Sequence, residues 1–185
     1  TLTQAPIECA KDCEELINRW HGKGRLQYAL TPRFAITSSD EQLVLCGELL
    51  QSHAEVLLQT HLSENLQEIA EVRRLFPSAR DYLDVYERHG LNKSESTFAH
   101  AIHLTATERE RLLDAGAKIA FCPSSNLFLG SGLLDIQAIP KNNLSIASSK
   151  HMLDTRVEAS PCRGKWRCGK RGFAIKDFAP RCPPS

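Results

Sequence analysis

Two histidines, one glutamate and an arginine–phenylalanine pair carry the residue types from which a hydrolytic site can be built. His61 is followed three positions later by Glu64, His100 sits in the run Ala99-His100-Ala101-Ile102-His103, and Arg33-Phe34 follows Thr31-Pro32. Imidazole is the usual nitrogen ligand of zinc, and a catalytic zinc takes three protein ligands and a water. A carboxylate beside such a water can take its proton and deliver it to a substrate nitrogen. A guanidinium offers a planar fork of donors and a phenyl ring a stacking face, so Arg33 and Phe34 suit a flat, polar substrate. Cys122 with a histidine could form a nucleophile pair, although Cys-Pro after a strand more often marks a buried thiol at a turn.

Each residue also has an ordinary structural role. A lone histidine at a strand end is commonly a hydrogen-bonded rim residue. Glu64 could simply be an acid in the first turn of a helix, held there by the helix dipole. Spacing alone makes Arg33 a surface cation beside a core Phe34. What favours chemistry is the combination, so the elements that would position it decide the matter.

Those elements alternate. Apolar residues at 9, 13, 16, 17 and 20 put one face of a helix over Cys9 to Trp20, ended by His21-Gly22-Lys23-Gly24. A short strand follows over residues 25–31. Ser38 or Ser39 then caps a Leu-rich helix to about Ala54, with Ser38 and Glu41 spaced as a capping box. Val56 to Thr60 reads as a second strand, Glu64 to Phe76 as a helix stopped by Pro77, and Ala79 to His89 as another helix closed by Gly90. Ser96 to Ala99 is a third strand. Thr105 and Glu108 form a capping box for a helix that Gly116 ends, and residues 117–121 and 144–147 supply two further strands.

Strand–helix alternation implies an α/β fold of parallel βαβ units, either an open doubly wound sheet or part of a barrel. In both, binding and catalytic groups gather at the carboxyl ends of the strands. Arg33-Phe34, His61 with Glu64, His100, and Cys122-Pro-Ser-Ser-Asn126 all fall at such ends. Four or five units make about half of an eight-fold barrel, an unclosed sheet with two raw edges.

Composition narrows the function classes. The chain of 185 residues has 23 Lys plus Arg against 22 Asp plus Glu. This near-neutral balance disfavours nucleic acid as the partner of the whole chain. No apolar run reaches the ~18–20 residues of a membrane span. The balance is uneven: residues 1–140 hold 13 basic and 19 acidic side chains, residues 141–185 hold 10 and 3. Cys162, Cys168 and Cys182 lie in that basic end, where Arg163, Lys165, Arg167, Lys170 and Arg171 surround Trp166. An alternative function as a nucleic-acid-binding protein would rest on this cluster, but no Cys-x-x-Cys spacing supports a zinc knuckle. The division expected is a barrel segment over 1–149 and a basic, irregular Cys- and Pro-rich tail over 150–185. Seven cysteines without a disulfide framework fit buried thiols in a reducing, cytoplasmic setting.

Leu30-Thr-Pro-Arg-Phe34, Thr60-His-Leu-Ser-Glu-Asn65, Ala99-His100 and Cys122-Pro-Ser-Ser-Asn126 come in the order and spacing of the guanine deaminases, zinc hydrolases of the amidohydrolase superfamily. The resemblance spans most of residues 5–140. It implies part of a TIM-type (β/α)8 metal-dependent hydrolase barrel, with His61 and His100 as zinc ligands and Glu64 as general acid/base. Arg33, Phe34 and His61 would contact guanine, which is hydrolysed to xanthine and ammonia. By that resemblance the family's His-x-His motif would fall upstream of Thr1, and Ser149 stands where the family carries a late aspartate ligand. The expectation is therefore an incomplete copy, inactive alone, with a homo-oligomer or a complementing barrel segment as one way to supply the rest.

Overall fold

The computed structural model describes residues 4–140 and Asn143 in full, together with the backbone of 144–146, 157–158, 167–168 and 172–174. Helix α1 (Pro6–Trp20) starts with Pro6, whose fixed φ suits a first helical turn. It buries Cys9, Cys13 and Ile17, one residue per turn. Strand β1 (Leu26–Leu30) leads through a 3-10 turn at Ala35–Thr37 to α2 (Asp40–Ser52). Then follow β2 (Leu57–Leu62), α3 (Leu66–Leu75), α4 (Tyr82–Glu87), β3 (Ser96–His100), α5 (Ala106–Asp114), β4 (Lys118–Phe121), α6 (Pro123–Leu129) and β5 (Leu144–Ile146). Beyond them lie β6 (Val157–Glu158), β7 (Arg167–Cys168) and β8 (Gly172–Ala174).

The main sheet runs β5-β4-β3-β2-β1-β8 with every pairing parallel. Strands β6 and β7 form a separate antiparallel pair. Successive strands β1 to β5 are neighbours in space, each joined to the next by a helical crossover, with two helices, α3 and α4, between β2 and β3. The strands are nearly all buried, as a parallel sheet covered by helices requires. Leu30, Leu58, Leu62, Phe98 and Ile119 are buried with Leu43, Leu83, Tyr86 and Leu112 from the covering segments. This is the expected α/β arrangement, and the remaining expectation for 150–185 lies outside the described residues except for those three backbone segments.

Several expected boundaries move, each for a physical reason. Ser39, not Ser38, caps α2, and its side chain accepts from the Gln42 amide, so the Ser38–Glu41 box does not form. Helix α2 also ends at Ser52. Helix α3 begins at Leu66 because Asn65 is its cap: Asn65 Oδ1 accepts from the Glu68 amide at 2.9 Å, while Glu68 Oε2 accepts from Asn65 N at 3.3 Å. Glu64 thus precedes the cap and lies outside the helix. The predicted 79–89 helix shortens to Tyr82–Glu87, since Asp81 takes the capping role. The Thr105–Glu108 box forms as expected. Helix α6 is not among the expected elements, although Pro123 at its first position is a helix-start signal.

Candidate active site

His61 is the fifth residue of β2 and is held from β1's end. Its ring Nδ1 lies 2.7 Å from the Arg33 carbonyl, which also accepts the His61 backbone N–H at 3.0 Å. A carbonyl can only accept, so Nδ1 carries the ring proton and the lone pair resides on Nε2. Metal-ligating histidines are commonly oriented this way. Tyr86, fully buried on α4, supports the same junction: its hydroxyl donates to the His61 carbonyl at 2.9 Å and accepts from the Ala35 amide at 3.0 Å.

His100 ends β3, and the strand register poses a problem for it. His61 pairs with Ala99, whereas His100 pairs with Leu62. Alternation along a strand would therefore send the two imidazoles to opposite faces. They are nonetheless stacked, with ring centroids 5.1 Å apart and planes at 25°. The left-handed backbone at His100 (φ 69°) and Ala101 (φ 50°) resolves the conflict. Ala101 N donates to Ala99 O at 3.0 Å, closing a γ-turn of the rare, strained hand around His100, and also to Leu62 O at 2.8 Å. Ser63 at the end of β2 is left-handed too (φ 49°). All three non-glycine residues with positive φ among the described residues thus lie at this rim, each costing on the order of 1 kcal/mol.

Glu64 brings its carboxylate to the same place, with Oε1 3.5 Å from His100 Nδ1. That oxygen is buried without a hydrogen-bond partner among the described residues, as are Ser63 Oγ and Asn126 Nδ2. Glu68 fixes the Glu64 backbone by accepting its N–H at 2.8 Å. On the other side of His61, the Phe34 ring lies 5.8 Å away, and Arg33 Cζ sits 5.6 Å from the Phe34 centroid. His100, His61, Phe34 and Arg33 thereby form a run of flat groups along the rim, with Arg33 exposed at its outer end. All five predicted site residues are brought together.

Asn126 was not singled out from the sequence. It is completely buried on α6, and its Oδ1 lies 2.6 Å from His100 Nδ1. Recognising Pro123 as a helix start would have placed it one turn inside α6, near the rim. Tyr86 left no local signal, because its contacts span 25 to 51 residues of chain. Cys122 is buried and donates weakly to Ala120 O at 3.5 Å. Burial pushes its thiol above the usual range despite the hydrogen bond from the His100 backbone, and the Glu64 charge adds to the rise. A thiol held protonated is a poor nucleophile.

The donor chemistry fits zinc as far as these residues go: two stacked imidazoles, each with Nδ1 held close to an oxygen, and a buried carboxylate oxygen lacking a partner among the described residues. Among the described residues, no group of three His, Cys, Asp or Glu side chains is placed to hold a metal ion. Ser149 lies outside the described residues. No helix among the described residues is long and apolar enough to cross a membrane.

Comparison with known proteins bears on the fold and the family. Over 124 residues the chain is 49% identical to guanine deaminase of Escherichia coli, covering 67% of this chain and 28% of that protein. The solved Escherichia coli guanine deaminase superposes with a TM-score of 0.75 at 42% identity, over 78% of this chain and 34% of the other. A guanine deaminase from C. acetobutylicum with bound guanine in its active site gives a TM-score of 0.72 at 32% identity, over 78% of this chain and 35% of that one. The chain therefore has the fold of part of a TIM-type barrel and spans only about a third of such relatives' length. Nothing in these likenesses favours the nucleic-acid reading of the basic end, whose side chains lie outside the described residues. Residues 4–152 match the amidohydrolase family, whose members are typically metal-dependent, and the chain belongs to that family.

Proposed function

We propose that this chain forms the catalytic rim of a guanine deaminase, converting guanine and water to xanthine and ammonia. The observation that carries the reading is the run His100–His61–Phe34–Arg33 with the Glu64 carboxylate beside it, in a chain similar to guanine deaminases along most of its length. Phe34 presents a face for the purine, and the Arg33 guanidinium donates to its carbonyl and ring-nitrogen acceptors. His61 and His100 would hold zinc through Nε2, and zinc, when bound, supplies an activated water. Glu64 would take one proton of the attacking water to the ring nitrogen, and then the second, from the hydroxyl left on the carbon, to the departing amine. The water oxygen ends on the carbon that carried the amino group, and the carbon–nitrogen bond breaks to release ammonia. Buried, reduced thiols at Cys9, Cys13, Cys46 and Cys122 support a cytoplasmic setting.

The test is xanthine formation from guanine by the protein that carries this segment, wild type against Glu64→Gln. Loss of a general acid/base lowers kcat by ~10²–10⁴-fold. Undiminished turnover in Glu64→Gln would remove Glu64 from the reaction. Failure of the wild-type protein to act on guanine with zinc present, while it acts on another aminopurine or aminopyrimidine, would keep the site but change the substrate.

A further inference from the structure

We infer that Asn126 is a positioning residue that sets the tautomer of His100, a role that extends the zinc-binding reading of that histidine. Two oxygens face His100 Nδ1: Asn126 Oδ1 at 2.6 Å and Glu64 Oε1 at 3.5 Å. Two acceptors around one ring nitrogen require that nitrogen to carry the proton, which leaves the lone pair on Nε2. Only the asparagine is within hydrogen-bonding distance.

The orientation of the amide matters. Turned by 180°, Asn126 would present an N–H to Nδ1, force the proton onto Nε2 and remove His100 as a ligand. The Glu64 carboxylate next to Nδ1 opposes that alternative, because it would then face a second lone pair. Burial opposes rearrangement as well. Asn126 is wholly inaccessible and His100 only 4% exposed, so water cannot substitute for the amide oxygen. The Cys122 carbonyl accepts the Asn126 N–H at 3.0 Å and the Asn126 carbonyl accepts the Ser131 N–H at 2.9 Å, which fixes the backbone that carries the side chain. The γ-turn aims the His100 ring, and Asn126 then selects which nitrogen looks outward.

The experiment is heteronuclear NMR of ¹⁵N-histidine in the full 185-residue chain, reading the ring-nitrogen shifts of His100 near neutral pH. Wild type is expected to hold the proton on Nδ1. Asn126→Leu, similar in volume but without an acceptor, should move the tautomer ratio by roughly tenfold or more toward Nε2–H, as loss of one hydrogen bond implies. Asn126→Asp, which keeps the acceptor, should retain the wild-type pattern, and so should Glu64→Gln. A wild-type His100 protonated on Nε2 overturns the inference without any variant. So does a Glu64→Gln chain that loses the Nδ1 proton while Asn126→Leu keeps it. If Asn126→Leu does not fold, wild type, Asn126→Asp and Glu64→Gln still decide between these outcomes. The readout involves neither guanine nor turnover, so it stands or falls separately from the deaminase reading.

Discussion

The rim and the helical layer behind it treat their carboxylates in opposite ways. In the layer, Glu68 is 6% exposed yet fully used: it accepts from the Glu64 and Asn65 amides and from the Tyr82 hydroxyl at 2.7 Å. Glu108 accepts from Thr105 N, Thr105 Oγ1 and Leu83 N. Asp84 accepts from Arg80 and Arg88. At the rim, Glu64 Oε1, Ser63 Oγ and Asn126 Nδ2 are buried without partners, and three non-glycine residues are held left-handed. Buried polar groups normally have partners, and exceptions in native structures call for an explanation. A further buried atom without a partner, Asn92 Oδ1, lies outside the rim on the loop after α4, so it is the carboxylates, not every polar atom, that mark the contrast.

The sharpest test applies one substitution on both sides of that divide. Glu68→Ala strands a hydroxyl and two amides and should destabilise by about 3 kcal/mol. Glu64→Ala should change stability by about 1 kcal/mol or less in either direction, since one of its oxygens has nothing to lose. Urea unfolding of the two variants measures the contrast, and equal losses would erase it.

Next in size is a steric test of the layer. Gly47 on α2 lies so close to the His89 carbonyl that a Cβ there would collide with backbone. Gly47→Ala should cost about 2 kcal/mol through displacement of α2, visible as a lowered urea midpoint; an unchanged midpoint would mean that the two segments can separate freely.

A smaller, pH-dependent effect distinguishes Asp84. Burial alone would raise its pKa, but hydrogen bonds from the Arg80 side chain and backbone, with the Arg80 and Arg88 charges, outweigh it and hold the carboxyl below its ordinary 3.8. A depressed pKa contributes stability above the ordinary value and loses it as pH falls through the folded one. The stability gap between wild type and Asp84→Asn should therefore be full near neutral pH and shrink in acid below about pH 4. A gap that is independent of pH would break the assignment.

The smallest expected effect lies at the rim. Ala101→Gly relieves the left-handed strain while adding freedom to the unfolded chain, and should stabilise by about 0.5 kcal/mol or leave stability unchanged. Marked destabilisation would mean that the turn is not strained.

Strand ends were the most legible part of the molecule, because Gly, Pro and capping residues punctuate every crossover. The grouping of Arg33, Phe34, His61, Glu64 and His100 followed from the rule that parallel α/β folds collect their chemistry at carboxyl ends. How His100 reaches His61 was not legible. Alternation argues against it, and no residue type marks a γ-turn when the central residue is histidine and the next is alanine. Tyr86 was hidden for a different reason: it acts across a long stretch of chain, where periodicity carries no information, whereas Asn126 stood at a legible strand end with only its partner His100 unmarked. The expected position of Glu64 inside α3 was wrong by one cap, since Asn65 and Glu68 compete better for the helix start.

One carbonyl oxygen has a wider consequence. Arg33 O accepts from both the backbone and the ring of His61, with Thr60 Oγ1 3.2 Å away. The segment proposed to grip the purine and the strand proposed to grip the metal therefore share a single mechanical joint. A shift of the Arg33–Phe34 segment would therefore bear directly on the hydrogen bond that orients the His61 ring.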